Sequence, residues 1–160
     1  MLAFSALAFP AVVAMLLQTT ILPALPVAPD LVLVLAVYLG VRHPGVGGAC
    51  GAFLLGYFLD TFSGTVLGMH AFAFTGVYLA AHLIARHLWV DGPLLIAAVV
   101  FVGGCLHALA LVSVAMLVAA RVPVWHHVLR YGVLEAAFGA IVAPAVFAGL
   151  GWEKRMIGMT

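Results

Sequence analysis

The sequence predicts an all-α integral membrane protein, a multi-pass bundle of about six transmembrane helices in a single domain at residues 1–160. Hydrophobic residues make up 67% of the chain and charged residues 7%, whereas a soluble domain is about half apolar and roughly a quarter charged. Long runs, among them residues 31–39 and 94–102, are apolar on both faces, which favours helices over the alternating strands of a membrane barrel. The solvent of this chain is therefore lipid.

Proline, glycine and charged residues divide the chain into apolar stretches, because these residues interrupt transmembrane helices. The predicted helices cover residues 2–21, 30–41, 46–61, 67–88, 94–120 and 128–150. We expect a loop at residues 121–127 and the end of the last helix at residues 151–155. The second helix covers only about 20 Å of a hydrocarbon core of about 30 Å. It therefore includes flanking residues, thins the bilayer locally or is re-entrant.

The placement of Lys and Arg predicts the orientation, because these residues favour cytoplasmic segments. With six spans and a cytoplasmic N-terminus, the outer segments carry only Arg121 and Arg130. The cytoplasmic segments then carry Arg42, Arg86, Lys154 and Arg155. We therefore predict that both termini are cytoplasmic.

Several classes of function lack their usual signals. A net charge of +1 argues against a nucleic-acid surface. The seven histidines are scattered, and neither they nor Cys50 and Cys105 form a metal-binding motif. No GxSxG motif or phosphate-binding loop is present. We predict no catalytic residue, metal or cofactor, although an intramembrane enzyme with a triad assembled in space stays a third alternative.

Small residues recur at helical spacing in three of the predicted helices, most clearly in the third and the sixth. Gly47 and Gly51 form a GxxxG pair in the third helix, and Gly132 and Ala136 begin a stripe in the sixth. Small residues let helix backbones approach closely in lipid. These stripes therefore pack helices within the bundle or dock the transmembrane helix of another protein.

Polar residues inside the predicted spans form an intramembrane polar cluster, because a buried ionisable group is costly in lipid unless it is paired or hydrated. The cluster consists of Gln18, His70, His107, Arg130 and Glu135, with Asp30 and Asp60 nearby. The predicted topology places most of these residues toward the outer leaflet. They form a structural network, a ligand or proton site, or a contact surface for a partner protein.

A series of short motifs resembles the MreD family of bacterial rod shape-determining proteins, most specifically over residues 18–71. A Pro-Asp-Leu helix start is followed by an Arg-x-Pro-Gly break and then by a G-x3-D-x2-SG-x2-LG-x2-A pattern. These elements comprise residues 29–31 and 42–45, then Gly56, Asp60, Ser63, Gly64, Gly68 and Ala71. From its position, Asp60 is expected to accept hydrogen bonds from the backbone N–H groups of the turn that follows the third helix. The functional meaning of the pattern is what the resemblance implies. The carried-over positions are Pro29, Asp30, Asp60, Ser63, Gly64 and Gly68.

The resemblance implies a non-enzymatic membrane scaffold of the cell-wall elongation machinery in the bacterial inner membrane. Such proteins associate with the transmembrane helix of MreC and act alongside MreB, RodA and the transpeptidase partner of RodA in peptidoglycan synthesis. The family is also similar to the substrate-binding S-components of energy-coupling-factor transporters. The second hypothesis is accordingly a transporter subunit with a cavity lined by Asp60, His70, His107 and Glu135.

Overall fold

The structure is a computed structural model that describes residues 12–14, 16, 29–63, 67–88, 90, 92–118 and 125–156. The described chain is helical apart from turns, and it contains no strand. Helix α1 contributes residues 12–14 and 16. The other helices are α2 (Leu31–Arg42), α3 (Val46–Ser63), α4 (Met69–His87), α5 (Pro93–Val118) and α6 (Trp125–Met156). The prediction of an all-α bundle of six helices is confirmed.

The last helix is longer than predicted at both ends. Residues 125–127 were expected in a loop, and residues 151–155 were expected to end the helix, but α6 runs from Trp125 to Met156. Pro144 lies inside α6 without ending it, as prolines do in transmembrane helices when neighbouring groups satisfy the freed carbonyl. Gly151 lowers helix propensity by only about 1 kcal/mol, and the charged residues that follow it suit a solvated helix end.

Helix α2 is the central helix of the bundle and packs against α3, α4, α5 and α6. Asp30 caps its N-terminus by accepting a hydrogen bond from the Leu33 N–H at 2.9 Å, as its position after a proline predicts. Nine consecutive residues, Val32 to Gly40, are buried. A helix that is apolar all round is buried on all sides. The short α2 is therefore enclosed by protein and does not rely on lipid along its sides.

Helices α3 and α4 cross closely through small residues on one face of α3. A Cβ at Gly56 would collide with the backbone of Ala71, and a Cβ at Gly48 would lie 2.8 Å from Cε2 of Tyr78 in α4. Ala52, between these glycines, is completely buried. The α3–α4 seam therefore follows every fourth residue from Gly48, and Gly51 of the predicted pair faces α2. Gly47 is exposed.

Helices α5 and α6 also pack through small residues. A Cβ at Gly104 would collide with Ala136, and a Cβ at Gly132 would lie 2.9 Å from the Cβ of Ala108. Gly51, in the other predicted stripe, faces Leu39 of α2, whose Cδ1 would lie 3.2 Å from an added Cβ. Of the two interpretations of the small residues, internal packing describes Gly51, Gly132 and Ala136.

Two of the described helices are long and apolar enough to cross a membrane. These segments are Pro93–Val114 in α5 and Tyr131–Gly151 in α6, and the apolar segments Leu31–Arg42 and Val46–Phe62 are shorter. Large apolar side chains cover the outer face of the bundle, as expected of a surface in contact with lipid. The prediction of a helical membrane bundle is therefore confirmed.

Candidate functional site

Asp60 links the end of α3 to the start of α4 and is almost completely buried. Its carboxylate accepts hydrogen bonds from the N–H groups of Gly68 at 2.9 Å, His70 at 3.1 Å and Ala71 at 3.2 Å. The N-cap of α4 is Gly68, whose φ of 95° lies in the left-handed region and which has no side chain for capping. Asp60 therefore caps α4 from the preceding helix, where the helix dipole favours a negative charge.

His70 extends this polar contact toward the centre of the bundle. Its Nδ1 lies 2.7 Å from Oδ1 of Asp60, so the carboxylate holds both the main chain and the ring of this residue. The His70 ring is tilted against the His107 ring of α5, with centroids 5.7 Å apart. The completely buried Phe74 stacks on His107 at 4.7 Å and 16°. The two histidines are therefore fixed against each other by aromatic packing.

His107 connects this arrangement to the N-terminus of α2. Its Nδ1 lies 3.8 Å from Oδ2 of Asp30, and both side chains are mostly buried. Its Nε2 is buried and has no hydrogen-bond partner among the described residues. We call Asp30, Asp60, His70, His107 and Glu135 the polar network, since four of these residues are linked through their rings and carboxylates and Glu135 shares a cavity with two of them.

The cavity has a volume of about 370 Å³ and lies between the N-terminus of α2 and the α5–α6 seam. Its described polar lining consists of Asp30, His107, Tyr131 and Glu135. The remaining described lining is apolar, with the small residues of both seam helices and with Leu33 and Leu111. Asp60 and His70, which were predicted to line such a cavity, are not part of the described lining.

The structure brings together five of the seven predicted polar residues, those of the polar network, and other predicted site residues fall outside its description. Gln18 and Gly64 lie outside the described residues, and Ser63 and Arg130 are described only as helical backbone. Sequence reasoning missed Tyr131 and the aromatic support from Phe74. A signal for Phe74 was its position four residues after His70, which places both on one face of α4.

The described residues contain no group of three His, Cys, Asp or Glu side chains arranged to hold a metal ion. The long 3.8 Å separation between His107 and Asp30 also exceeds the length of a direct hydrogen bond. The side chains of the polar network are therefore arranged for hydrogen bonds and for charge compensation over a distance. In the described part of the bundle they do not form a metal coordination shell.

The opposite end of the α3–α4 pair is held by Tyr78. Its buried hydroxyl accepts a hydrogen bond from the Gly45 N–H at 3.1 Å and donates toward the carbonyl of Gly45 at 2.9 Å, with the His43 carbonyl 3.2 Å away. Gly45 has a φ of 124°, in the left-handed region that favours glycine. Tyr78 thus fixes the turn between α2 and α3.

The fold and its polar network define a small helical membrane protein in which five ionisable groups meet at one end of the described bundle. The sequence model of a family described as rod shape-determining protein MreD matches residues 1–148. The chain therefore belongs to the MreD family and has a role in rod shape determination, as the motif resemblance implied. No curated protein and no solved structure matches the chain, so the expected likeness to transporter S-components stays a prediction.

Proposed function

We propose that this protein is a non-enzymatic scaffold of the cell-wall elongation machinery, which docks the transmembrane helix of MreC and helps to position the peptidoglycan synthases. The observation that carries the proposal is the family match over residues 1–148. RodA and its transpeptidase partner are the synthases that the resemblance implies, with MreB acting indirectly. The protein lies in the inner membrane as a multi-pass bundle with both termini in the cytoplasm.

The docking surface is the outward face of α3, because the small-residue seam of α6 is occupied by α5. Cys50 is exposed on this face, close to the exposed Gly47. Tyr57 and Phe53 are also exposed and stack on each other at 6.4 Å. Small residues allow close helix approach, and aromatic side chains are enriched in protein interfaces. Both features thus lie on a single helix face.

Cys50 supplies a native probe for this docking surface. Single cysteines placed along the transmembrane helix of MreC, co-expressed with the Cys105→Ala chain, are oxidised in membranes with copper phenanthroline. We expect a disulfide to Cys50 from one stripe of MreC positions at helical spacing, because only one face of a packed helix lies within disulfide range. Cross-linked products are measured by non-reducing electrophoresis.

The matched control moves the thiol to another exposed helix surface. The control chain carries Cys50→Ala and Cys105→Ala, and its single cysteine replaces Leu79, which is exposed on α4. Efficient cross-linking of Leu79→Cys with no cross-linking of Cys50 would place the partner on α4. The absence of cross-links from both positions, with MreC co-purifying, would contradict the proposed docking face.

The second candidate function is a small-molecule binding subunit similar to a transporter S-component. The cavity beside α2 favours it, because ligand sites in proteins are commonly of about 300–1,000 Å³ and are mostly apolar with a few convergent polar groups. Native mass spectrometry of the purified protein tests it. A specific metabolite retained through purification would support this function, and a bundle free of metabolites would count against it.

A further inference from the structure

Helix α6 presents a stripe of exposed side chains on the side opposite its buried face. We call this set the outer α6 stripe, and it consists of Leu134, Glu135, Phe138, Ile141, Ala145 and Gly149. These residues recur at helical spacing, so they lie on one side of the helix. Residues on the other side, among them Ala136, Ala140 and Ala143, are buried. The outer α6 stripe is therefore separate from the seam that packs α6 against α5.

Glu135 is the charged member of the outer α6 stripe and lies within a membrane-crossing segment. That segment begins at Tyr131, so Glu135 lies about 6 Å inside it. The side chain is exposed beside the apolar surfaces of Leu134 and Phe138. No hydrogen bond or ion pair joins Glu135 to any side chain in the described part of the chain. An ionisable group that faces lipid is costly unless it is paired or hydrated, so this carboxylate requires a partner.

We propose that the outer α6 stripe docks a transmembrane helix of another protein, and that this helix carries a lysine or arginine at the depth of Glu135. The inference does not depend on the docking of MreC, whose proposed surface lies on α3. Charge complementarity selects the occupant, because a basic residue at this depth compensates the carboxylate. Pairing also removes from lipid two charges that are each costly alone, and a lipid tail offers no such compensation.

The shape of the outer α6 stripe suits a packed helix. Ala145 and Gly149 are small and exposed, and no described atom lies within 4 Å of the position that a Cβ would take at Gly149. Small residues let the backbone of a second helix approach closely. Glu135 also lines the cavity of about 370 Å³, which leaves room for the long side chain of a basic residue. The stripe therefore combines close backbone contact at one end with space for a charged side chain at the other.

Designed transmembrane peptides are the probes of the first experiment. Each is a Leu-Ala helix that carries a dansyl group and one variable position about 6 Å inside the membrane, occupied by lysine, leucine or glutamate. The full chain is reconstituted in phosphatidylcholine vesicles, and energy transfer from its tryptophans to dansyl measures association. We expect the lysine peptide to bind about ten-fold more tightly than the leucine peptide, because polar contacts strengthen the association of transmembrane helices. Equal binding of the two peptides would overturn the proposal.

Charge exchange at Glu135 separates ion pairing from general affinity for helices. Glu135→Gln keeps the shape of the side chain and should lower binding of the lysine peptide to the level of the leucine peptide. Glu135→Lys should reverse the preference, so that the glutamate peptide binds more tightly than the lysine peptide. The matched control is His87→Gln, since His87 is an exposed ionisable residue at the far end of α4. A lysine preference that survives in Glu135→Gln, or that is lost in both variants, would refute the pairing.

A packing variant tests whether the helix lies on the outer α6 stripe. Ala145→Phe should weaken binding of the lysine and leucine peptides alike, because a bulky side chain keeps the second backbone away. Leu79→Phe is the control, since Leu79 is exposed on α4, and it should bind both peptides like the original protein. Equal effects of the two substitutions would contradict docking on this stripe. The cross-link between MreC and Cys50 should persist in Ala145→Phe, and its loss would show that one helix occupies both surfaces.

Discussion

At each end of the α3–α4 pair a buried polar side chain holds a turn of the main chain, but the two side chains differ in chemistry. At one end the carboxylate of Asp60 accepts hydrogen bonds from three backbone N–H groups and from the ring of His70. At the other end the hydroxyl of Tyr78 contacts the turn around Gly45. Each end also has a glycine, Gly56 or Gly48, where the chain segments approach closely.

The two ends differ in charge and in what they connect. The Tyr78 end joins a neutral hydroxyl to the main chain, and its hydrogen bonds close a turn. The Asp60 end introduces a charged group, which leads through His70 and His107 to Asp30 and the cavity. A buried charge in a membrane protein is costly unless it is paired, and at this end the carboxylate of Asp60 is compensated by backbone N–H groups and by the ring of His70. Three substitutions test this comparison.

The largest effect is expected from Gly56→Leu at the polar end. The new side chain has no room, because even a Cβ at this position would collide with the backbone of Ala71. Overpacking of this kind costs about 3 kcal/mol or more when backbone has to move. We expect loss of folded protein in size-exclusion chromatography and a large fall in the free energy of unfolding in mixed micelles.

The control for this substitution is Gly76→Leu on α4. No atom of the described residues lies within 4 Å of the position that a Cβ would take at Gly76, so this position has room for a larger side chain. Its free energy of unfolding should change by no more than about 0.5 kcal/mol. Equal destabilisation by both variants would show that the close α3–α4 crossing is not what makes Gly56 necessary.

An intermediate effect is expected from Asp60→Ala. The substitution leaves the N–H groups of Gly68, His70 and Ala71 without their acceptor, and an unsatisfied buried donor costs about 1–3 kcal/mol. We expect a total loss of about 3 kcal/mol, measured by unfolding in mixed micelles. Asp60→Asn keeps one acceptor oxygen and should lose less. A loss from Asn as large as that from Ala would show that the charge of Asp60 matters more than the number of its hydrogen bonds.

The smallest effect is expected from Tyr78→Phe at the neutral end. The ring remains in place, and the turn loses one hydroxyl that serves Gly45 and His43. The expected cost is about 1 kcal/mol, seen as a small fall in the unfolding midpoint. Tyr57→Phe is the control, because Tyr57 is exposed on the outer face of α3 and should change stability by less than about 0.5 kcal/mol. A larger loss in Tyr78→Phe than in Asp60→Ala would reverse the comparison.

Local signals in the sequence predicted much of the fold. Asp30 marks the start of α2, and the break after Arg42 marks its end, because an N-cap and a Pro-Gly turn act within a few residues. The hydrogen bonds of Asp60 to the following turn were also expected from its position. The α3–α4 seam was missed, since only Gly47 and Gly51 match the GxxxG pattern, whereas Gly48, Ala52 and Gly56 share its four-residue spacing with an alanine in the middle.

Other features depend on how distant helices are arranged, and the sequence does not specify them locally. The contact between His70 and His107 joins α4 to α5, and the cavity is lined by residues of three elements, the N-terminus of α2, α5 and α6. The position of Asp60 was nevertheless informative about the seam. It lies four residues after Gly56, and its carboxylate has to face α4 to reach the start of that helix. Residues four apart share a helix face, so Ala52 and Gly48 face α4 as well.

The burial of α2 has a consequence for how the protein is inserted into the membrane. Its twelve residues extend over about 18 Å, and a stable span by itself needs about 20 residues. The sides of α2 contact protein rather than lipid. The neighbouring helices therefore supply the apolar surroundings that the bilayer gives to an independent helix. Helix α2 therefore reaches its final place only when the later helices close around it, and the cooperative unit of membrane assembly is the whole bundle.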